Sequence, residues 1–350
     1  MGRGEQVRNL HALPKAHLHL HFTGSMRPAT LVELADLHGV SLPAALRSGE
    51  HVRLTSDARG WFRFQRLYDA ARAVVRNEQA MRRIVHEAAQ DDAAEGSRWL
   101  EIQVDPTSYA PFVGGITPAL EIVLDAAREA TAATGTAVAV VVAASRTRHP
   151  LDARTLARLA ARYAGDGPGT VVGFGLSNDE RRGWTADFAP AFDIARRAGL
   201  ASLPHSGELL GPDHVEVTLE HLGPDRIGHG VRSVEDADVL ARVVEAGVAL
   251  EVCPGSNVSL GVYPTASQVP LPQLISAGAQ VALGADDPLL FGSRLVDQYA
   301  GARVEHELDD AALAGLATDS VLVSRAPEQI RQQLVAEIDA WLAAVPESSP

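Results

Sequence analysis

The sequence predicts an α/β chain folded as a (β/α)8 TIM barrel, with a helical lid inserted after the first strand. Three observations lead there. Strand-like and helix-like segments alternate from residue 16 to about residue 300. The strand-like segments number eight, the count of a closed barrel. An open doubly wound sheet would usually carry a Gly-rich phosphate loop after its first strand. Here His19-Leu20-His21 stands in that place.

The predicted strands are residues 16–22, 98–104, 136–144, 170–176, 201–205, 226–229, 249–253 and 281–284. Each is a short β-branched or apolar run bounded by Gly, Pro or polar residues. Helical patterns occupy 117–134, 151–164, 186–198, 234–246 and 271–277. The first of these opens Thr117-Pro118, with proline in the first turn, and stops at Gly135. Segment 24–97 is too long for one strand-to-helix loop and holds helical patterns at 28–38, 61–75 and 78–95. An insertion of that length predicts a lid over the barrel mouth. Its Trp61, Phe62, Phe64 and Tyr68 fall at helical spacings, as lid core or as a wall over the ligand. From residue 326 a final helix and a frayed 346–350 tail are expected. No linker or repeat interrupts the chain, so 1–350 reads as a single domain.

Composition narrows the function. The formal net charge is −13, which supplies no basic footprint for nucleic acid or for an anionic membrane surface. No apolar run is long enough to span a membrane. Residues 1–14 lack the apolar core of a signal peptide, and Gly2 is not followed by Ser or Thr at position 6. Cys253 is the only cysteine, so no intrachain disulfide forms. A cytoplasmic location is the expectation. Lys15 is the only lysine, which excludes Schiff-base or carbamylated-lysine chemistry at every other position.

Barrel enzymes place their chemistry at the C-terminal ends of the strands. Strand one ends in His19 and His21, strand five leads to His205 and Glu208, strand six ends in His229, and strand eight leads to Asp286 and Asp287. Residues two apart on a strand share a face, so His19 and His21 can both point into the mouth. Three imidazoles and a carboxylate form a good zinc set. A single such residue at a strand end is ordinarily a solvated or hydrogen-bonded side chain. The weight lies in all of them falling on the side that the fold uses for chemistry. His17 shares the face of His19 and His21, so spacing leaves two choices of His-x-His pair open.

Residues 14–25, Pro-Lys-Ala-His-Leu-His-Leu-His-Phe-Thr-Gly-Ser, resemble the opening motif of the adenosine deaminase family, Pro-Lys-x-Glu-Leu-His-x-His-Leu-Asp/Glu-Gly. Further similar stretches are 171–180, Pro204-His205-Ser206-Gly207-Glu208, Arg226-Ile227-Gly228-His229-Gly230, 250–257 and 283–288, in the family's order. The resemblance implies that His19, His21, His205 and Asp286 hold one Zn2+ per chain. It makes Glu208 the partner of purine N1, His229 the residue beside the attacking water, and Asp287 a contact to the base. It sets the 177–179 loop, with Asn178, against the base, and His21 and Thr23 in the substrate shell. The implied reaction is hydrolytic deamination of a 6-aminopurine nucleoside with release of ammonia. Zinc brings the pKa of water towards ~7, His229 is suited to take its proton, and a protonated Glu208 donates to N1. One metal is expected, because predicted strand four has no lysine to bridge a pair. His/Cys/Cys deaminase sites are excluded by the single cysteine.

Three positions depart from the family pattern. Thr23 stands where adenosine-specific members carry an Asp that contacts the ribose 5′-hydroxyl. Asn178 stands at a Gly position, and His17 replaces a Glu. Threonine neither accepts like a carboxylate nor repels an anion. The expected substrate is therefore adenosine or a 5′-modified adenosine such as aminodeoxyfutalosine, with adenine as the alternative. AMP is disfavoured for want of a phosphate cluster. A non-catalytic nucleoside-binding barrel would have lost one of these groups, and none is lost. A phosphodiesterase or amide hydrolase would have no need of Glu208.

Overall fold

Eight parallel strands pair in sequence order: β1 (Lys15–His21), β2 (Ser97–Val104), β3 (Ala137–Ser145), β4 (Val171–Ser177), β5 (Ala201–Ser206), β6 (Arg226–His229), β7 (Ala249–Val252) and β8 (Val281–Leu283). The structure, a computed structural model, describes residues 7–345. The expected 346–350 tail and residues 1–6 lie outside the described residues. Every strand matches its predicted segment to within two residues at each end. Helices cover the outer face and side chains fill the inside, so β3 reads as an unbroken apolar run, Ala-Val-Ala-Val-Val-Val-Ala-Ala.

The barrel closes at its mouth through residues at the ends of β1 and β8. The His21 N–H donates to the Asp286 carbonyl at 3.0 Å, and the Asp286 N–H donates to the His19 carbonyl at 2.9 Å. Closure of the sheet and placement of three candidate ligands are thus the same event.

Four helices follow β1: α1 (Pro28–His38), α2 (Ala44–Ser48), α3 (Ala58–Arg72) and α4 (Glu78–Ala94). Asn77 caps α4 by accepting from the Ala80 N–H at 2.8 Å. This helix packs on β2 and on the helix Ile116–Thr134, in the outer ring of the barrel. The extra elements between β1 and β2 are therefore α1 to α3. Asp57 caps α3 through the Gly60 N–H. That helix then turns Trp61, Phe64, Tyr68 and Arg72 towards a cavity over the strand ends. Phe64 also stacks on Phe291, with centroids 5.6 Å apart, while Phe62 points outward.

The helix Asp310–Leu322 has no counterpart among the predicted elements. It packs against β1 and β8 on one side and against the helix Glu328–Ala343 on another. A helix buried on two sides carries no single apolar stripe, so its sequence gives little periodic signal. Among the described residues, no helix is long and apolar enough to cross a membrane.

Candidate active site

The ends of β1, β5, β6 and β8 bring the predicted residues into one cavity of about 540 Å3. Its lining includes His21, His205, Glu208, His229, Asp286, Asp287 and Asn178. His19 lies just beneath, fully buried. His21 Nε2 is 3.2 Å from His205 Nε2 and 3.2 Å from Asp286 Oδ1. His19 Nε2 is 3.7 Å from the same Asp286 oxygen. Four ligands at 2.0–2.1 Å from one centre stand about 3.3 Å apart at the corners of a tetrahedron. The separations here fit that figure.

The donor chemistry fits a metal as well. His19 Nε2 is buried without a hydrogen-bond partner. A buried ring nitrogen in that condition is costly unless something binds it. The other ring nitrogen of His19, Nδ1–H, donates to Glu251 Oε2 at 2.8 Å. This fixes the tautomer with a lone pair on Nε2, as a ligating imidazole requires. Burial opposes the Glu251 charge, but Arg226 and His19 outweigh it and hold the carboxylate down at about 2. Arg226 donates to Glu251 at 2.7 Å and also to Glu101, so a chain of charge crosses the barrel interior from β2 through β6 and β7 to β1.

His17, which spacing alone left open, has its ring nitrogens engaged elsewhere. Its Nδ1–H donates to both oxygens of Asp92 at 3.0 Å, and its Nε2 accepts the Ala285 N–H at 3.1 Å. Both nitrogens are engaged, which leaves His19 and His21 as the pair with nitrogens turned to the mouth.

His229 and Glu208 stand at the edge of the cluster. His229 Nε2 is 3.7 Å from Glu208 Oε1 and 4.0 Å from Asp286 Oδ2. Burial and the neighbouring His19 imidazole hold the His229 pKa down at about 3, which keeps the ring neutral. Burial, Asp286 and Glu180 push Glu208 well above the carboxylate range. Such an environment favours the protonated carboxyl over the carboxylate. Burial and Asp286 push Asp287 upward too. Asp286 differs: burial opposes its charge, but the His21 bond and the imidazoles around it draw its pKa far down.

Groups of three that could hold an ion are His19–His205–His229, His19–Cys253–Asp286 and Glu208–His229–Asp286. Burial and Asp286 push the Cys253 thiol up, which disfavours a thiolate there. The nitrogen and oxygen donors are left as the better set.

Backbone strain concentrates at this site. Four non-glycine residues have positive φ among the described residues, and three of them are Asn178 (82°), His229 (66°) and Asp286 (62°). Such conformations persist where the surrounding structure over-determines them. Gly228 is required for a different reason. A Cβ there would lie 2.9 Å from His19 Cε1 and 3.1 Å from the His205 ring.

Thr23, like His19, is a predicted site residue absent from the cavity lining. It is buried, and its hydroxyl pairs with the Tyr109 phenol at 2.5 Å. Tyr109, not Thr23, forms the wall. Thr23 therefore reaches the cavity wall through the Tyr109 phenol. Sequence reasoning also missed Gln103, whose Oε1 is buried at the cavity without a partner. Its one signal was its place next to the end of predicted strand two. Arg72 and Arg148 line the cavity as well, and nothing in the sequence brings those two together.

The adenosine deaminase family model matches residues 14–341. A putative adenosine/adenine deaminase of Streptomyces coelicolor is 59% identical over 97% of this chain and 100% of its own length. An adenine deaminase of Agrobacterium fabrum is 34% identical over 93% of this chain and 98% of its own. The crystal structure of an adenine deaminase from Arthrobacter aurescens superposes with a TM-score of 0.85 at 29% identity, covering 95% of this chain and 99% of that one.

Proposed function

Because the chain belongs to the adenosine deaminase family, hydrolases that act on C–N bonds of cyclic amidines, we propose zinc-dependent removal of the 6-amino group of a purine, with these residues in named roles. The carrying observation is the pairing of a neutral His229 with Glu208 at 3.7 Å, beside the cluster formed by His19, His21, His205 and Asp286. Those four residues would hold Zn2+. When bound, zinc supplies hydroxide at neutral pH by lowering the pKa of water.

His229 orients the attacking water and takes its proton as the oxygen adds at C6. Glu208, kept protonated, donates to N1 as electron density builds on the ring. Asp287, with Oδ1 free of any partner, contacts the base, and the strained turn at Asn178 presents its backbone to the ring. His229 then returns its proton to the leaving amine. As ammonia departs, the C6 hydroxyl gives its proton to the Glu208 carboxylate, which restores the acid and leaves the 6-oxopurine. The helix α3 acts as the lid that excludes water during these transfers.

A 5′-substituted adenosine, aminodeoxyfutalosine being one such nucleoside, is the substrate we favour. Two features support it. Thr23 offers no carboxylate to a ribose hydroxyl, since its own hydroxyl is held by Tyr109. The cavity, at about 540 Å3, suits a ligand larger than a bare heterocycle. Its outer wall of Trp61, Phe64, Tyr68 and Tyr109, with Arg72 and Arg148, gives a 5′ substituent apolar and cationic contacts. Adenine is the second reading, favoured by the relatives named adenine deaminase. An ultraviolet assay of the zinc-loaded protein with adenine, adenosine, AMP and aminodeoxyfutalosine decides between them. A kcat/KM for adenine or adenosine several decades above the 5′-substituted compound would sink the favoured substrate. No turnover of any of the four would sink the reaction.

A further inference from the structure

Glu180 has no part in the chemistry above, yet its carboxylate is buried beside it. It follows β4 by three residues, and its oxygens accept the backbone N–H groups of Glu208 (3.1 Å), Leu209 (2.8 Å) and Leu210 (2.7 Å). A buried carboxylate is costly unless it is met by such donors. Three N–H groups converging on one anion also fix the conformation of the turn that carries them. Of those three residues, only Glu208 lines the cavity.

The support continues behind Glu180. Arg146, fully buried, faces it with a positive charge and donates to the His205 carbonyl at 2.5 Å and to the Thr185 hydroxyl at 2.9 Å. His214 links the Thr185 hydroxyl (3.0 Å) to that of Ser206 (2.8 Å). His205, Glu208, Leu209 and Leu210 are thereby tied directly, and Ser206 through His214, to groups that follow β3 and β4.

We infer that Glu180 is a positioning residue for Glu208: through three backbone hydrogen bonds it sets where the proton donor meets the purine ring. The inference rests on the reading of Glu208 as that donor. Glu180→Gln tests it in the full-length, zinc-loaded protein. The carboxamide keeps one acceptor oxygen and turns an NH2 group towards backbone donors. The expected result is a kcat lower by about 10²-fold, the size of loss that a 1 Å misplacement brings. KM and zinc content should stay within about twofold, since binding groups are untouched. Amide hydrogen exchange at residues 208–210 should become faster.

In a Glu208→Gln background the same change should cost nothing further, because coupled residues are non-additive. A kcat near that of the unmodified enzyme, or a full additive loss in that background, would overturn the inference. Should Glu180→Gln not fold, Glu180→Asp, which keeps the charge and shortens the reach, carries the same expectations. If Glu208→Gln alone kept full activity, the donor reading would fall, while exchange at 208–210 would still report whether Glu180 holds the turn.

Discussion

The Nδ1–H of His19 donates to Glu251 at 2.8 Å, and this single bond leaves the Nε2 lone pair of the same ring bare and turned to the mouth of the barrel. Glu251 is itself held ionised by Arg226 from the neighbouring strand. The tautomer and orientation of His19 are thus decided by a carboxylate on the far side of the ring from its free nitrogen. Glu251→Gln should weaken zinc binding by about 10–100-fold, the usual loss when such a partner is changed. Competition with a chelator measures it. Unchanged zinc affinity would show that the ring is oriented by packing alone.

Glu208 should impose an alkaline limb on activity. Burial, Asp286 and Glu180 raise its pKa, so the donor form is present below that raised value and is lost as the pH climbs through it. The kcat/KM profile should therefore fall on the basic side. Glu208→Gln should lower activity by about 10²–10⁴-fold, the worth of a general acid, and should erase the limb. A variant with an unaltered limb would assign that limb to another group.

Gly24 abuts Asp287. A Cβ at position 24 would lie 1.8 Å from Asp287 Oδ1 and 2.7 Å from its Cα, so neither rotamer change nor a small shift makes room. Gly24→Ala should displace Asp287 and raise KM for the purine at least tenfold, at a folding cost of about 1–3 kcal/mol, as for other overpacked sites. Steady-state kinetics and thermal melting separate the two effects. A KM equal to that of the unmodified protein would remove Asp287 from base recognition.

Lys15 should make stability depend on pH far from the active site. Its ammonium lies at the barrel floor, bonded to the carbonyls of Leu10 (2.9 Å) and Glu95 (2.5 Å). Burial lowers its pKa from 10.5 to about 7, against the opposing charge of Glu95. Between those values the unfolded chain binds the proton and the folded chain does not. Stability should then rise with pH across that window, by up to about 1.4 kcal/mol per pH unit, and the gain should vanish below it. Denaturant unfolding of the protein and of Lys15→Met, compared from pH 6 to pH 10, should show the slope in the first and not in the second.

Much of this was legible in the linear chain. Short buried runs stopped by turn residues placed every strand. The position of His19, His21, His205, Glu208, His229, Asp286 and Asp287 at their ends followed from that count, because a parallel barrel sends all its strand ends to one side. The family motif then supplied roles that spacing had left open.

What the sequence by itself determined was which side chains arrive at the mouth. What only the tertiary structure decided was what each of them is bonded to. Asp92, 75 residues from His17, engages Nδ1 of that ring, and the Ala285 N–H engages its Nε2. Glu101, Arg226 and Glu251 come from three different strands to orient His19. Tyr109, 86 residues from Thr23, engages its hydroxyl. These contacts depend on the stagger between strands and on which helix covers which gap, and barrel closure sets that stagger for all the strands together. A period of two residues along one strand reports the face a side chain takes, and carries no information about its neighbours across the barrel.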